Sequence, residues 1–366
     1  MPARPQPAPL ETDAVIIGAG PVGLFQVFEL GLLEARAHVI DALPQVGGQP
    51  VALYPGKPIY DIPALAVCTG QELADALMRQ IAPFEPVFHL GQQVSHLARQ
   101  ADGRFLVETT AGTRLMARAV FIAAGVGAFQ PRPLKAPGAA GLEGTHLLYH
   151  LPPPARLAGQ RVVVAGGGDQ ALEWAIRLAS ATGHDAPACV TLLHRRDAFT
   201  AAPETVARMR ALSEAGSLRL AFGPLAGLEA EHGRLTRLTY TGADGATQFL
   251  PVDTLLASQG MSPRLGPVAD WGLAMERKQL VVDTEKFQTS EPGIFAVGDI
   301  NTYPGKKKLI LCGFHEATLA AYGALPYLFP GKDVFFQYTT TSPRLHRLLG
   351  VAPEAADDPP PASDGA

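Results

Sequence analysis

Two stretches of the chain repeat one hydrophobic pattern. Residues 14–17 form a continuous apolar run ending at a glycine cluster, as expected of a strand buried on both faces. An apolar helical stretch follows from Leu24 to Leu33, and a second apolar run, Ala37 to Ile40, closes at Asp41. Further on, Arg161–Ala165 reads as another buried strand, Ala171–Ala181 as a helix and Cys189–Leu193 as the next strand. Strand, glycine turn, helix and strand, met twice, predict two parallel βαβ units and so an α/β fold. One further strand, Ile294–Val297, delivers Gly298 and Asp299.

The glycine turns carry the chemistry. The first reads Gly18-x-Gly20-x-x-Gly23: Gly18 makes the tight turn, Gly20 lets the backbone approach a pyrophosphate, and Gly23 lets the helix pack on the sheet. The helix N-terminus adds free N–H groups and a partial positive charge for phosphates. Asp41 stands at the spacing where an acid meets ribose hydroxyls. The second turn reads Gly166-x-Gly168-x-x-Ala171, and its following strand ends in His194-Arg195-Arg196 instead of an acid. A carboxylate accepts from a free 2′-hydroxyl but repels a 2′-phosphate, whereas guanidinium groups grip phosphate with paired hydrogen bonds. The first loop therefore suits an unphosphorylated ribose and the second suits NADP. A ligand-free glycine turn and a solvated basic strand end are the alternatives.

Composition narrows the classes. A chain of 366 residues with 47% hydrophobic and 17% charged residues fits two ordinary folded domains. The formal net charge of −4 offers no global field for nucleic acid or an anionic membrane. No run approaches the roughly 18 apolar residues of a membrane span, and no signal-peptide layout opens the chain. Cys68, Cys189 and Cys312 show neither CxxC nor metal-ligand spacing, which suits a reducing cytoplasm; no metal is expected. Proline-rich ends predict disordered tails over residues 1–11 and 351–366.

The segment Thr289–Asp299 resembles the closing motif of two-dinucleotide flavoprotein reductases, in which the acid contacts the ribityl and pyrophosphate part of FAD. From about Thr12 to Leu349 the chain is similar to the thioredoxin-reductase-like ferredoxin–NADP reductases of bacteria. The most specific stretch is Val46-Gly-Gly-Gln-Pro-Val-Ala-Leu-Tyr-Pro-Gly-Lys-Pro-Ile-Tyr-Asp61. The resemblance implies that Gln49 reaches the flavin and Tyr54 stacks on it. Phe121–Arg132 matches the family's crossover, with Phe129 near the flavin, and His194–Phe199 matches its 2′-phosphate motif. Val94 aligns with the backbone position that meets adenine. Gln337–Ser342 matches a C-terminal cover, with Tyr338 over the ring and Thr340 beside it. Three positions depart from the pattern: Pro50 after Gly-Gly-Gln49, Thr200 where a further arginine is common, and Tyr338 where a histidine is common.

By this resemblance the fold is two Rossmann-like dinucleotide-binding domains, each three-layered, with an NADPH domain (129–260) inserted in a split FAD domain (12–128 and 261–335). A flavin-covering segment spans 336–350. The implied activity is FAD-dependent ferredoxin or flavodoxin–NADP reductase: hydride exchange between NADPH and FAD coupled to one-electron transfer to a protein acceptor. No catalytic side chain is required beyond the stacking Tyr54 and Tyr338, so His150, His315 and His346 read as structural, with His315 the nearest to a family-like segment. A homodimer is implied. Lys306–Lys308, Arg344 and Arg347 are docking candidates for an acidic acceptor, or a solvated charge run. A thioredoxin-reductase-type disulfide reductase needs a dithiol, and the segment Gly166-Gly-Gly-Asp169 has none; single-cysteine relatives carry theirs in the first glycine loop, where Pro21-Val22 stands. A non-catalytic redox-sensing flavoprotein is the third class.

Overall fold

The computed structural model describes residues 8–351, and the chain divides into two compact units. One takes the chain up to Ala128 and from Pro263 onward; the other is Phe129–Ser262. The second boundary falls two residues beyond the expected one. Strand β1 (Leu10–Ile17) already pairs at Leu10 with Leu115. The expected N-terminal tail is therefore shortened at residues 10 and 11, because the strand's entry finds a ready parallel partner in Leu115 and Met116. The remaining tail expectations, 1–7 and 352–366, lie outside the described residues.

The first unit is built on a seven-stranded sheet. Val87–Leu90, β2 (Ala37–Asp41), β1 and Arg114–Ile122 run parallel in that order. The far edge of Arg114–Ile122 is shared. Its first half pairs antiparallel with Phe105–Thr109, which continues to Val94–Arg99, and its last three residues pair parallel with Ile294–Ala296. Helix α1 (Pro21–Leu32) begins three residues before the expected start, because Pro21 is preset for a first helical turn. It packs on the sheet and against helices Gly70–Ile81 and Ile310–Gly323. Phe105, Phe121 and Phe295 are fully buried, the last two with stacked rings 5.2 Å apart. The carboxyl ends of β1, β2, Arg114–Ile122 and Ile294–Ala296 all open on one edge, where ligands bind parallel α/β sheets.

The second unit has three layers. Leu147–Leu148, Thr254–Ala257, Arg161–Ala165, Cys189–His194 and Arg219–Phe222 form an all-parallel sheet. Alternation along the strand sends Val162 and Val164 toward helices Asp169–Ala179 and Pro203–Glu214. It sends Val163 and Ala165 toward the antiparallel strands Leu225–Glu231, Arg234–Thr241 and Thr247–Pro251. Both faces are covered, hence the unbroken apolar run.

Candidate functional site

Each unit presents the same device, a glycine-capped helix leaving the end of a buried strand. At Gly18 the backbone has φ +116° and an added Cβ would lie 2.3 Å from the Ala123 carbonyl oxygen; at Gly166 it would lie 2.4 Å from that of Ser258. These first glycines are required by the neighbouring strand. The second glycines are not. A Cβ on Gly20 would meet only the Cα of Gly48, at 3.8 Å, and one on Gly168 only the Thr200 hydroxyl, at 3.8 Å. Gly20 and Gly168 are the N-caps of α1 and of helix Asp169–Ala179, and no side chain caps either helix. Each therefore offers unsatisfied N–H groups beside an open cradle, which fits a pyrophosphate. Gly23 fits beneath Gly18, where a Cβ would come within 1.9 Å of the Gly18 oxygen.

In the first unit, three further segments converge on this loop. Asp41 ends β2 and turns its carboxylate inward, accepting from the N–H of Ala19 at 2.6 Å and of Leu43 at 2.8 Å. Burial pushes its carboxyl up from the usual range, against those two hydrogen bonds. The Gln92 N–H donates to the Asp41 carbonyl at 3.0 Å, and buried Val94 follows two residues after Gln92. Gly47 and Gly48 both have positive φ, the Gly47 N–H donates to the Ala19 oxygen at 2.8 Å, and a Cβ on Gly48 would approach Gly20 Cα to 2.8 Å. That turn opens α2 (Gly48–Leu53), whose Gln49 amide donates to the Tyr54 hydroxyl at 3.0 Å. Pro50 sits in its first turn, where a missing N–H costs nothing, and is buried against Gly70.

The returning strand places Asp299 at the same sheet edge. Gly298 has φ +79° and packs against Val22 and Gly313. Asp299 is half-buried, and burial raises its carboxyl while Lys306 and Lys308 draw it down. Behind it lies a network the sequence did not announce. Glu316, fully buried, accepts from the Gly298 N–H at 2.7 Å, Asn301 Nδ2 at 2.8 Å, the Tyr303 hydroxyl at 3.0 Å and Lys306 Nζ. Lys306 is thus spent inside the fold, its side chain only 7% exposed, which removes it from the expected docking cluster. Lys307, Lys308 and Arg347 are exposed, whereas Arg344 pairs with Glu34 at 2.6 Å. His315 is exposed and meets Phe287 edge-on.

In the second unit the phosphate loops are laced together. The Thr200 N–H donates to the Gly167 carbonyl at 2.8 Å, and the Ala202 N–H to Asp169 Oδ1 at 2.7 Å. Thr200, where an arginine is common, thus braces the glycine loop. The His194 ring stacks on Phe199 and lies against Gly167, where a Cβ would come within 2.3 Å of it. Burial, with Arg195 and Arg196 alongside, lowers its imidazole pKa. Arg195 and Arg196 are exposed at the strand end, leaving both guanidinium groups open to solvent.

The C-terminal segment packs on the first unit through helix Ile310–Gly323. Tyr338 meets Phe336 edge-on at 5.0 Å, and Phe336 meets Tyr322 at 5.7 Å. Tyr322 lies nine residues along its helix from Gly313, roughly 14 Å away at the usual helical rise. Tyr338 and Thr340 are exposed. The Phe129 side chain lies outside the described residues. All three cysteines are free thiols. Among the described residues no cluster of three or more His, Cys, Asp or Glu could hold a metal ion, and no helix is long and apolar enough to cross a membrane.

A pyridine nucleotide-disulphide oxidoreductase family model matches residues 12–317. The chain belongs to that family. A relative from Cupriavidus metallidurans named ferredoxin–NADP reductase 2 is 59% identical over 348 residues, covering 95% of this chain and 94% of its own. One from Albidiferax ferrireducens named ferredoxin–NADP reductase is 60% identical, covering 94% and 97%. Among solved structures, a thioredoxin reductase from Gloeobacter violaceus shares the fold at TM-score 0.54 and 23% identity, covering 90% of this chain and 98% of that one. The family's two nucleotides fit the two open cradles at Gly20 and Gly168.

Proposed function

We infer that this protein is a ferredoxin–NADP reductase using FAD and NADPH, with FAD held by the first unit and NADPH by the second. The observation that carries the assignment of sites is the contrast at the two second strands: a carboxylate tied to the glycine loop at Asp41, a pair of solvent-open arginines at Arg195 and Arg196. FAD held there would supply a redox centre able to accept hydride from a nicotinamide and to pass electrons on singly. The protein's own contribution is placement. Gly18, Gly20 and Gly23 seat the FAD pyrophosphate at the start of α1, Asp41 and Val94 flank the adenosine, and Asp299 meets the ribityl chain. Gln49 and Tyr54 face the flavin; Phe129, Tyr338 and Thr340 complete its surroundings. Gly166 and Gly168 seat the NADPH pyrophosphate, and Arg195 and Arg196 neutralise its 2′-phosphate.

A disulfide-reductase reading is disfavoured by the thiols. Cys68 is buried, and burial with Glu72 and Asp61 pushes its thiol up, away from the thiolate that exchange requires. The acceptor is a ferredoxin or flavodoxin, the setting the cytoplasm, and the working form a homodimer, which analytical ultracentrifugation of the holoprotein checks. Anaerobic stopped-flow of the NADPH-reduced protein against ferredoxin, flavodoxin, thioredoxin and oxygen tests the function. Fast turnover with the first two supports it; fast turnover with thioredoxin alone sinks it.

A further inference from the structure

A carboxylate and an ammonium are costly to bury, and a protein that buries both at one spot gains only if their geometry is exact and every remaining lone pair is used. Glu316 and Lys306 meet that condition. Glu316 stands on helix Ile310–Gly323 at 0% exposure and accepts four hydrogen bonds, two at each oxygen. Lys306 Nζ divides itself between Glu316 and the Gly298 carbonyl oxygen, the latter at 2.9 Å.

The two side chains therefore grip both peptides flanking Gly298. Glu316 takes the N–H on one side and Lys306 the C=O on the other. The backbone between them is in the left-handed region, at φ +79°. The second of those peptides supplies the Asp299 nitrogen, so the direction in which Asp299 leaves the sheet is set by the pair. Asn301 closes the turn from the other side, its Nδ2 donating to Glu316 and to the Ala296 oxygen at 2.8 Å. Gln279 adds a 2.6 Å bond to the Asn301 oxygen. A segment of backbone from Ala296 to Lys306 is thus pinned from one buried carboxylate.

We propose that Glu316 and Lys306 are positioning residues for FAD, a buried ion pair that fixes the Gly298–Asp299 turn in its binding geometry. Neither touches the cofactor in this scheme; they act through Asp299. A plain structural role would need only charge balance in the core, and the two roles separate experimentally.

The inference rests on Asp299 meeting FAD, so the experiment carries that reading as its own arm. Purified holoprotein is serially diluted and released flavin is read by fluorescence, while thermal unfolding is followed by far-UV circular dichroism. Glu316→Gln leaves the Lys306 ammonium buried without its counter-charge and lowers both FAD affinity and Tm. The pair Glu316→Gln with Lys306→Met removes both charges, so the core is rebalanced and Tm recovers. The Lys306 half of the clamp, its bond to the Gly298 carbonyl, is still lost, and the FAD dissociation constant stays raised by about tenfold or more, the worth of one charge-assisted hydrogen bond. If the double variant recovers wild-type FAD affinity together with its Tm, the pair is structural only and the proposal fails. Should the single variant not fold, the double variant decides alone. If Asp299→Ala retains FAD fully, the assignment of Asp299 is what has failed. If it loses FAD while the double variant does not, the positioning role alone is wrong.

Discussion

The carboxylate of Asp41 accepts the Ala19 N–H at 2.6 Å, joining the end of β2 to the middle of the first glycine loop. Its other oxygen takes the Leu43 N–H at 2.8 Å. The acid placed for a ribose thus also holds the loop that would receive the pyrophosphate. Asp41→Asn turns one acceptor into a donor facing an N–H. We expect a loss of about 1–3 kcal/mol in stability, the cost of an unsatisfied buried group, together with weaker FAD retention. Chemical denaturation and flavin release on the same preparations measure the two effects.

The two kinds of glycine should part company under substitution. Gly18→Ala places a Cβ 2.3 Å from a carbonyl oxygen at φ +116°, so the fold itself should lose roughly 1–3 kcal/mol or more. Gly20→Ala meets nothing closer than 3.8 Å, and unfolding of the flavin-free protein should shift by about 1 kcal/mol or less. FAD binding should nonetheless fall by roughly tenfold, a loss of about 1.4 kcal/mol. Equal retention of FAD by Gly20→Ala and the parent would count against that cradle as the pyrophosphate seat.

Replacing Arg195 and Arg196 by Ala should raise KM for NADPH by roughly tenfold to a hundredfold, as charge-assisted bonds to phosphate are lost. KM for NADH should hardly change. Steady-state kinetics with both nucleotides gives the ratio, and equal effects on the two would remove the 2′-phosphate role.

Stability should depend on pH through Glu29. It is buried on α1, accepts a hydrogen bond from the Thr318 hydroxyl at 3.1 Å, and burial raises its pKa above the ordinary value. A raised folded-state pKa means the unfolded chain releases this proton first, so the contribution is whole at low pH and is lost as pH rises through the folded value. Glu29→Gln keeps an acceptor for Thr318 without the charge. Its Tm should exceed that of the parent near about pH 7, and the difference should vanish below about pH 4. An unchanged difference at both ends would place the cause elsewhere.

Much of this was legible in the chain because buried parallel strands and their glycine turns are local patterns. The runs at 37–40, 161–165 and 189–193 became strands almost residue for residue, and that at 14–17 became the buried half of a longer one, since each is covered on both faces. Helix starts were set late, at Leu24 and Ala171, because Pro21 and Asp169 are polar or imino residues that open a first turn without joining the apolar face. The Glu316 network was not legible. Lys306 reads as one of three consecutive lysines, and only the return of Ile294–Ala296 to the sheet decides which of them is buried. A glutamate set among small residues, Gly313, Ala317 and Ala320, was the one available sign.

The shared edge of strand Arg114–Ile122 bears on how the protein is made. Its last three residues pair with Ile294–Ala296, more than a hundred and seventy positions away in the sequence. During synthesis the first half of that sheet emerges with part of one edge unmatched and must wait while the whole of Phe129–Ser262 follows. The intervening unit, continuous in the chain, can complete its own sheet first. Long-range pairing of this kind slows folding and leaves an open strand edge in the interval, so the nascent chain is most exposed to misassociation before residue 296 has left the ribosome.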